Sequence, residues 1–294
     1  MKPRIFPILI SLAMAITVIV ISSDQVAGLV PQSSAVNDLK SLNLTQAVDP
    51  YSNQVEAGLN YFRRLAQQQL PLVENLKVAL KTGNIKVAEF AYVEARPPYE
   101  QIEVFAPSFE QEDSDIDARP YAFDEGEQSS DFKGFHRIER LIFRDRNPAA
   151  AVPYAEELVD SIRSLIGKLN DSSNFSAALN FDGMIALATE VPAKKISGEE
   201  ETWSDQSVLI FRENWDGIYS QYKPFASLLN SAITTQVDAA YQACRNSIAP
   251  FVTEGVAAAA PYSSLGTQER RAIVKASYQL RDALIMARDA LNLG

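Results

Sequence analysis

Histidine is almost absent from this sequence of 294 residues, where His136 is the only one. A zinc protease of the His-Glu-x-x-His kind needs two imidazoles on one helix, so that class is excluded. Cysteine is equally scarce. Cys244 stands alone, which rules out an intramolecular disulfide and any zinc site made of several thiolates. Its neighbours Ala243, Ile248 and Ala249 predict a buried, inert thiol. Glycine numbers only 12, too few for a turn-dense β-fold. No cluster of Lys and Arg occurs and the formal charge is −10. Phosphate contacts need a basic patch, so nucleic acid is not an expected partner.

What is present is apolar mass. Hydrophobic residues make up 47% of the chain, enough for a sizeable core in one large domain or two small ones. At the N-terminus Lys2 and Arg4 precede an apolar run from Ile5 to Ile21, then Val26-Ala27-Gly28 offers small residues at a cleavage position. Residues 1–28 therefore fit a secretory signal and the protein is expected to be exported to the periplasm. If the signal stays uncut, the same run becomes a membrane tether. Residues 29–44 form a mixed, Ser-containing tether, and the helical domain is expected over 45–294.

Val55, Leu59, Phe62, Leu65 and Ala66 recur at three- and four-residue steps, predicting a helix over about 49–80 that Pro71 breaks or kinks. Gly83-Asn84 stops it. A second helix, carrying Val87, Phe90, Ala91 and Val93, runs to Arg96. There Pro97-Pro98 forces a bend or a stop, since a residue before proline avoids the helical region. Pro98 then opens a new turn containing Glu100 and Glu103. Free N–H groups and the helix dipole at a helix start favour ionised carboxylates, although acids in a first turn are ordinary.

An acidic loop follows from Glu110 to Asp131, mostly solvated, with one or two acids pointing inward. Its Asp113-Ser114-Asp115-Ile116-Asp117 run fails as an EF-hand, because Ala118 stands where Gly is required and Pro120 falls inside the loop. Further helices are predicted over 152–169, 175–191, 228–249 and 267–293, with a long one capped by Ser204 or Asp205 and ended or bent by Pro224. Residues 192–201 form a polar connection. No alternating run forces a strand, so the expectation is an all-α, bundle-like fold.

The chemistry concentrates in Gly134-Phe135-His136-Arg137-Ile138-Glu139. On a helix His136 and Glu139 lie at i and i+3 and leave the same face. An imidazole beside a carboxylate can hold a metal or exchange protons. A satisfied pair that only ties helices together has the same spacing.

Three segments, in order, carry a resemblance: Arg96-Pro97-Pro98-Tyr99-Glu100-Gln101-Ile102-Glu103, then Asp115-Ile116-Asp117-Ala118-Arg119, then Gly134 to Glu139. Together they resemble the imelysin-like family, and within it the EfeO-type periplasmic proteins of bacterial iron uptake. The last segment resembles that family's G-x-H-x-x-E signature. The resemblance implies two four-helix-bundle-like lobes with a cleft between them. It also implies a metal site drawn from Glu100, Glu103, Asp117, His136 and Glu139, and delivery of iron to an inner-membrane iron permease with associated periplasmic factors. With only a short tether after the signal, the chain resembles the short form without a cupredoxin-like domain. Glu201-Thr202-Trp203-Ser204-Asp205 resembles a family segment with Asp205 in a histidine's place, and Asn214-Trp215-Asp216-Gly217 resembles a downstream Asn-x-Asp-Gly pattern.

Carboxylates with one imidazole make a hard site, suited to ferric or ferrous iron and to other divalent cations such as manganese or calcium. Two other functions compete with iron capture. One is a metallopeptidase-like hydrolase with Glu139 as general base. The other is a non-catalytic binding module for a surface polymer or a membrane partner.

Overall fold

The structure, a computed structural model, describes residues 49–294. The expected signal, tether and domain start at Thr45 fall outside those residues. Among the described residues every regular element is helical, so the all-α expectation holds. No described helix is long and apolar enough to cross a membrane.

The first helix, α1 (Ser52–Lys81), runs unbroken through Pro71. A proline inside a helix costs about 3 kcal/mol. Here α1 packs along its length against α6 (Pro148–Leu169) and α2 (Ile85–Ala95), and that burial outweighs one missing hydrogen bond. Asn84 caps α2 by accepting from the N–H groups of Lys86 and Val87. The inward face of α2 is Ala88, Tyr92, Val93 and Ala95, while Phe90 is 68% exposed.

Arg96 departs from the expectation for a residue before proline. It keeps right-handed helical angles, φ −70° and ψ −47°, between α2 and the short α3 (Pro97–Ile102). Its guanidinium is held by three carboxylates, and these contacts offset the local steric preference. The expected acidic loop begins as a helix, α4 (Glu110–Asp117). Glu112 is buried and accepts from Ser164 Oγ of α6 at 2.7 Å, docking α4 onto the bundle. Next come α5 (Gly134–Glu139), extended by a π-helical turn over Arg140–Arg144, and α6. The second half holds α7 (Ala177–Ala193), α8 (Ser207–Tyr222), α9 (Ser231–Ile248) and α10 (Thr267–Ala290).

Two helical groups result. One comprises α1, α2, α4, α5 and α6; the other comprises α7 to α10; α3 lies between α1 and α8. A single hydrophobic core, from Leu59 and Phe62 through Phe105 and Phe181 to Leu280, runs through both. At the α3–α8 crossing, a Cβ on Gly217 would lie 2.3 Å from the carbonyl oxygen of Gln101, so only glycine permits this approach. Cys244 is fully buried, and burial pushes its thiol well above the usual range.

Candidate metal centre

Three chain reversals bring distant charges together where the two helical groups meet. The α2–α3 bend carries Arg96, Glu100 and Glu103. The C-terminal end of α4 carries Asp117, followed by Arg119. The segment after α7 carries Lys195, Glu200 and Glu201. Helix α5 supplies His136 and Glu139 against them. Gly134 starts α5 at φ +70°, and a Cβ there would lie 2.3 Å from the carbonyl oxygen of Ile116. Glycine at this position therefore fixes how closely His136 approaches Asp117.

His136 is 1% exposed. Its Nδ1 lies 3.3 Å from Glu139 Oε2, and its Nε2 lies 3.4 Å from Asp117 Oδ1 without forming a hydrogen bond. Glu139 Oε1 accepts from the backbone N–H groups of Trp203 and Ser204, both at 2.8 Å. Glu139 is thus anchored on one side and orients the imidazole on the other. The ligating atoms of Asp117, His136 and Glu200 lie within 4.8 Å of one another, close enough to share one cation, and all three residues are buried.

Three permanent cations are threaded among the acids. Arg96 pairs with Asp117 at 2.6 Å, Glu201 at 2.7 Å and Glu100, and its guanidinium lies 4.8 Å over the Phe135 ring. Lys195, fully buried, reaches both oxygens of Glu103 at 2.9 and 2.7 Å and Glu200 at 3.2 Å. Arg119 pairs with Glu200 and lies 3.4 Å from Asp117. Asn214 of α8 donates to the Glu100 carbonyl at 2.8 Å and to Glu103 Oε2 at 2.9 Å. Carboxylates outnumber these bases: Glu100, Glu103, Asp117, Glu139, Glu200 and Glu201 face Arg96, Arg119, Lys195 and one imidazole.

The excess shows in the proton affinities. Burial raises Glu103 and Glu201 to about 7 and Glu100 well above the carboxylate range. Burial also acts against Asp117 ionisation, but Arg96, Arg119 and His136 overcome it and hold Asp117 well below its ordinary value. Burial likewise opposes Glu200 ionisation, and Arg119 and Lys195 outweigh it and lower its proton affinity. Burial opposes a charged His136, yet Asp117 and Glu139 raise it to about 9. Crowded carboxylates that keep protons in a dry site are groups a multivalent cation can displace protons from.

The residues pass a chemical test for a hard cation. Oxygen donors dominate, and among the described residues the imidazole Nε2 is buried without a hydrogen bond and faces Asp117. A cleft of about 360 Å³ reaches the cluster from solvent. Glu103, Asp113, Asp117, Arg119 and Tyr121 form one wall, and Gly183 and Glu190 of α7 form the other.

The family model described as Imelysin matches residues 43–286. The chain belongs to the imelysin family. The iron uptake system component EfeM of Pseudomonas syringae pv. syringae (strain B728a) is 29% identical over 218 residues, covering 73% of this chain and 76% of that protein. The iron uptake system component EfeO of Escherichia coli (strain K12) is also 29% identical over 218 residues, and the match covers 57% of its length. This imelysin chain thus spans little more than half of its EfeO relatives.

Of the five residues singled out from the sequence, only Asp117 and His136 belong to the group whose ligating atoms converge; Glu139 touches His136, while Glu100 and Glu103 lie in the surrounding charge network. Asp117 faces Nε2 of the imidazole, Glu139 faces Nδ1, and Glu100 and Glu103 stand behind Arg96 and Lys195. Sequence reasoning missed Glu200, Glu201, Lys195 and the site role of Arg96. Residues 192–201, expected to be a polar connection, place Lys195 and Glu200 at zero exposure. Asp205 does not cap α8, whose N-terminal Gln206 makes no side-chain cap. Instead Asp205, at φ +63°, accepts from the N–H of Ser263 at 2.8 Å.

Proposed function

We propose that this protein is an exported metal-binding component of bacterial iron uptake. It captures iron at the buried carboxylate/histidine cluster and passes it to a membrane permease. One observation carries the reading: Asp117, His136 and Glu200 converge within 4.8 Å inside a cluster with more carboxylates than cations. The EfeM and EfeO relatives are named as iron uptake system components, which points to the same process.

In this reading Asp117 and Glu200 supply oxygen ligands and His136 supplies Nε2. Glu139 fixes the imidazole through Nδ1, as partners of metal-bound histidines commonly do. Glu100 and Glu103 join as the cation displaces their protons and draws them from Arg96 and Lys195. Iron is the cargo, so the site must load and unload, and proton-bearing acids suit that task better than a rigid, fully ionised cage. Glu139 is committed to two backbone N–H groups and the imidazole. That leaves it poorly placed as a general base for peptide hydrolysis.

Metal analysis of protein isolated from its native compartment, with calorimetric titration of His136→Ala, tests the proposal. Co-purifying iron, and a folded variant that binds iron far more weakly, are expected. Equal iron affinity in both proteins would reject it.

A further inference from the structure

Three bases neutralise the cluster, and they differ in how they are held. Arg96 is 1% exposed and tied to three carboxylates; Lys195 is fully buried and tied to Glu103 and Glu200. Arg119 is 11% exposed, and among the described residues its head group pairs with Glu200 and Asp117 alone. Those are two of the three groups that converge on the candidate cation position. Its Nε is buried with no hydrogen-bond partner among the described residues, and the residue lines the cleft that leads out to solvent. It is carried on extended backbone, φ −88° and ψ 158°, between α4 and a short 3-10 turn, where no helical ladder fixes the side chain's direction.

We propose that Arg119 is a displaceable internal cation that gates this site. Its guanidinium bridges Asp117 and Glu200 until a metal ion arrives, then swings into the cleft as the ion takes both carboxylates. Asp113 and Glu190 on the cleft walls offer the departing charge new partners. The exchange swaps one cation for another, so the apo cluster is not left as bare, repelling acids. It also selects against weakly charged competitors, because a monovalent ion cannot better a guanidinium bound to two carboxylates. The inference rests on the iron-capture reading and specifies how that same site opens.

Arg119→Gln removes the competing charge while keeping length and polarity. Titrated calorimetrically with Mn²⁺, an air-stable oxygen-seeking ion, the variant is expected to bind about tenfold or more tightly than the parent protein. The parent's binding rate, followed by intrinsic fluorescence in stopped flow, should level off with rising Mn²⁺. The rate of the variant should keep rising. Arg119→Lys, which retains charge and protects folding but cannot span both acids, should fall between them. Equal or weaker binding by both variants, with the parent still binding Mn²⁺, would overturn the gate and leave the metal site standing. Failure of the parent to bind Mn²⁺ or Fe²⁺ would overturn the metal site and the gate together.

Discussion

Glu139→Gln isolates how the single imidazole is oriented. The wild-type carboxylate accepts two backbone N–H groups through Oε1 and faces His136 Nδ1 through Oε2. Glutamine can keep both backbone bonds through its amide oxygen, so the helix–loop junction should survive at a cost of about 1 kcal/mol. Its NH₂ group then faces Nδ1 as a donor. Nδ1 must become an acceptor, and the ring's proton moves to Nε2, the atom aimed at Asp117 and Glu200. Removing a negative charge also lowers the proton affinity of His136, which Asp117 and Glu139 raise to about 9 in the wild type. The lost charge-assisted interaction is worth about 1.5–3 kcal/mol, or about ten- to a hundredfold in metal affinity. Because the chain has one histidine, ¹⁵N-histidine labelling gives a single pair of ring signals. These should report an imidazolium in the wild type at neutral pH, and in the variant a ring that loses its proton at lower pH and then carries the remaining one on Nε2. Calorimetry should show the matching loss of affinity. An unchanged tautomer with unchanged metal binding would refute this role for Glu139.

Other perturbations follow from the same contacts. Glu103 and Glu201 ionise near pH 7 when folded, against an ordinary value of 4.5; their neutral forms are favoured by folding. Metal-free stability should therefore fall as pH rises from about 4.5 to 7, by up to a few kcal/mol at about 1.4 kcal/mol per pH unit for each group. His136, raised from 6.5 to about 9, favours the folded state below 6.5 and loses that contribution as pH climbs towards 9. Metal affinity runs the opposite way and should increase from pH 5 to 9, since ions displace these protons; denaturant melts and titrations across that range check both slopes. Lys195→Met leaves Glu103 and Glu200 buried without their ammonium. It should destabilise the metal-free protein by about 3–5 kcal/mol at neutral pH, with partial recovery on adding metal, read in melting curves. Gly134→Ala places a Cβ 2.3 Å from the Ile116 carbonyl at φ +70°. It should cost about 1–3 kcal/mol and weaken metal binding by moving α5 away from Asp117, measurable by the same melts and titrations.

The helices were legible because burial imposes a period. Val55, Leu59, Phe62 and Ala66 lie on the buried face of α1, as their spacing requires. His136 and Glu139 were legible as a pair because i and i+3 share a face on any helix. Glu200 and Lys195 were not. Lys194-Lys195 and Glu199-Glu200-Glu201 have the composition of a solvated loop, and nothing local says that Lys195 and Glu200 turn inward. What turns them inward is charge from elsewhere in the chain: Glu103 holds Lys195, and Arg119 holds Glu200. Arg96 is the same lesson in backbone form. The rule for residues before proline correctly predicted that α2 bends and stops at Arg96, but not that Arg96 itself keeps helical angles, where three carboxylates, two of them distant in sequence, hold its guanidinium.

The most direct measurement is anomalous diffraction at the iron edge from crystals loaded with ferrous iron without oxygen. The peak should sit bonded to His136 Nε2 and to carboxylate oxygens of Asp117 and Glu200, with Arg119 turned out into the cleft. A peak bound to other residues, or none from protein saturated with iron, would contradict the account.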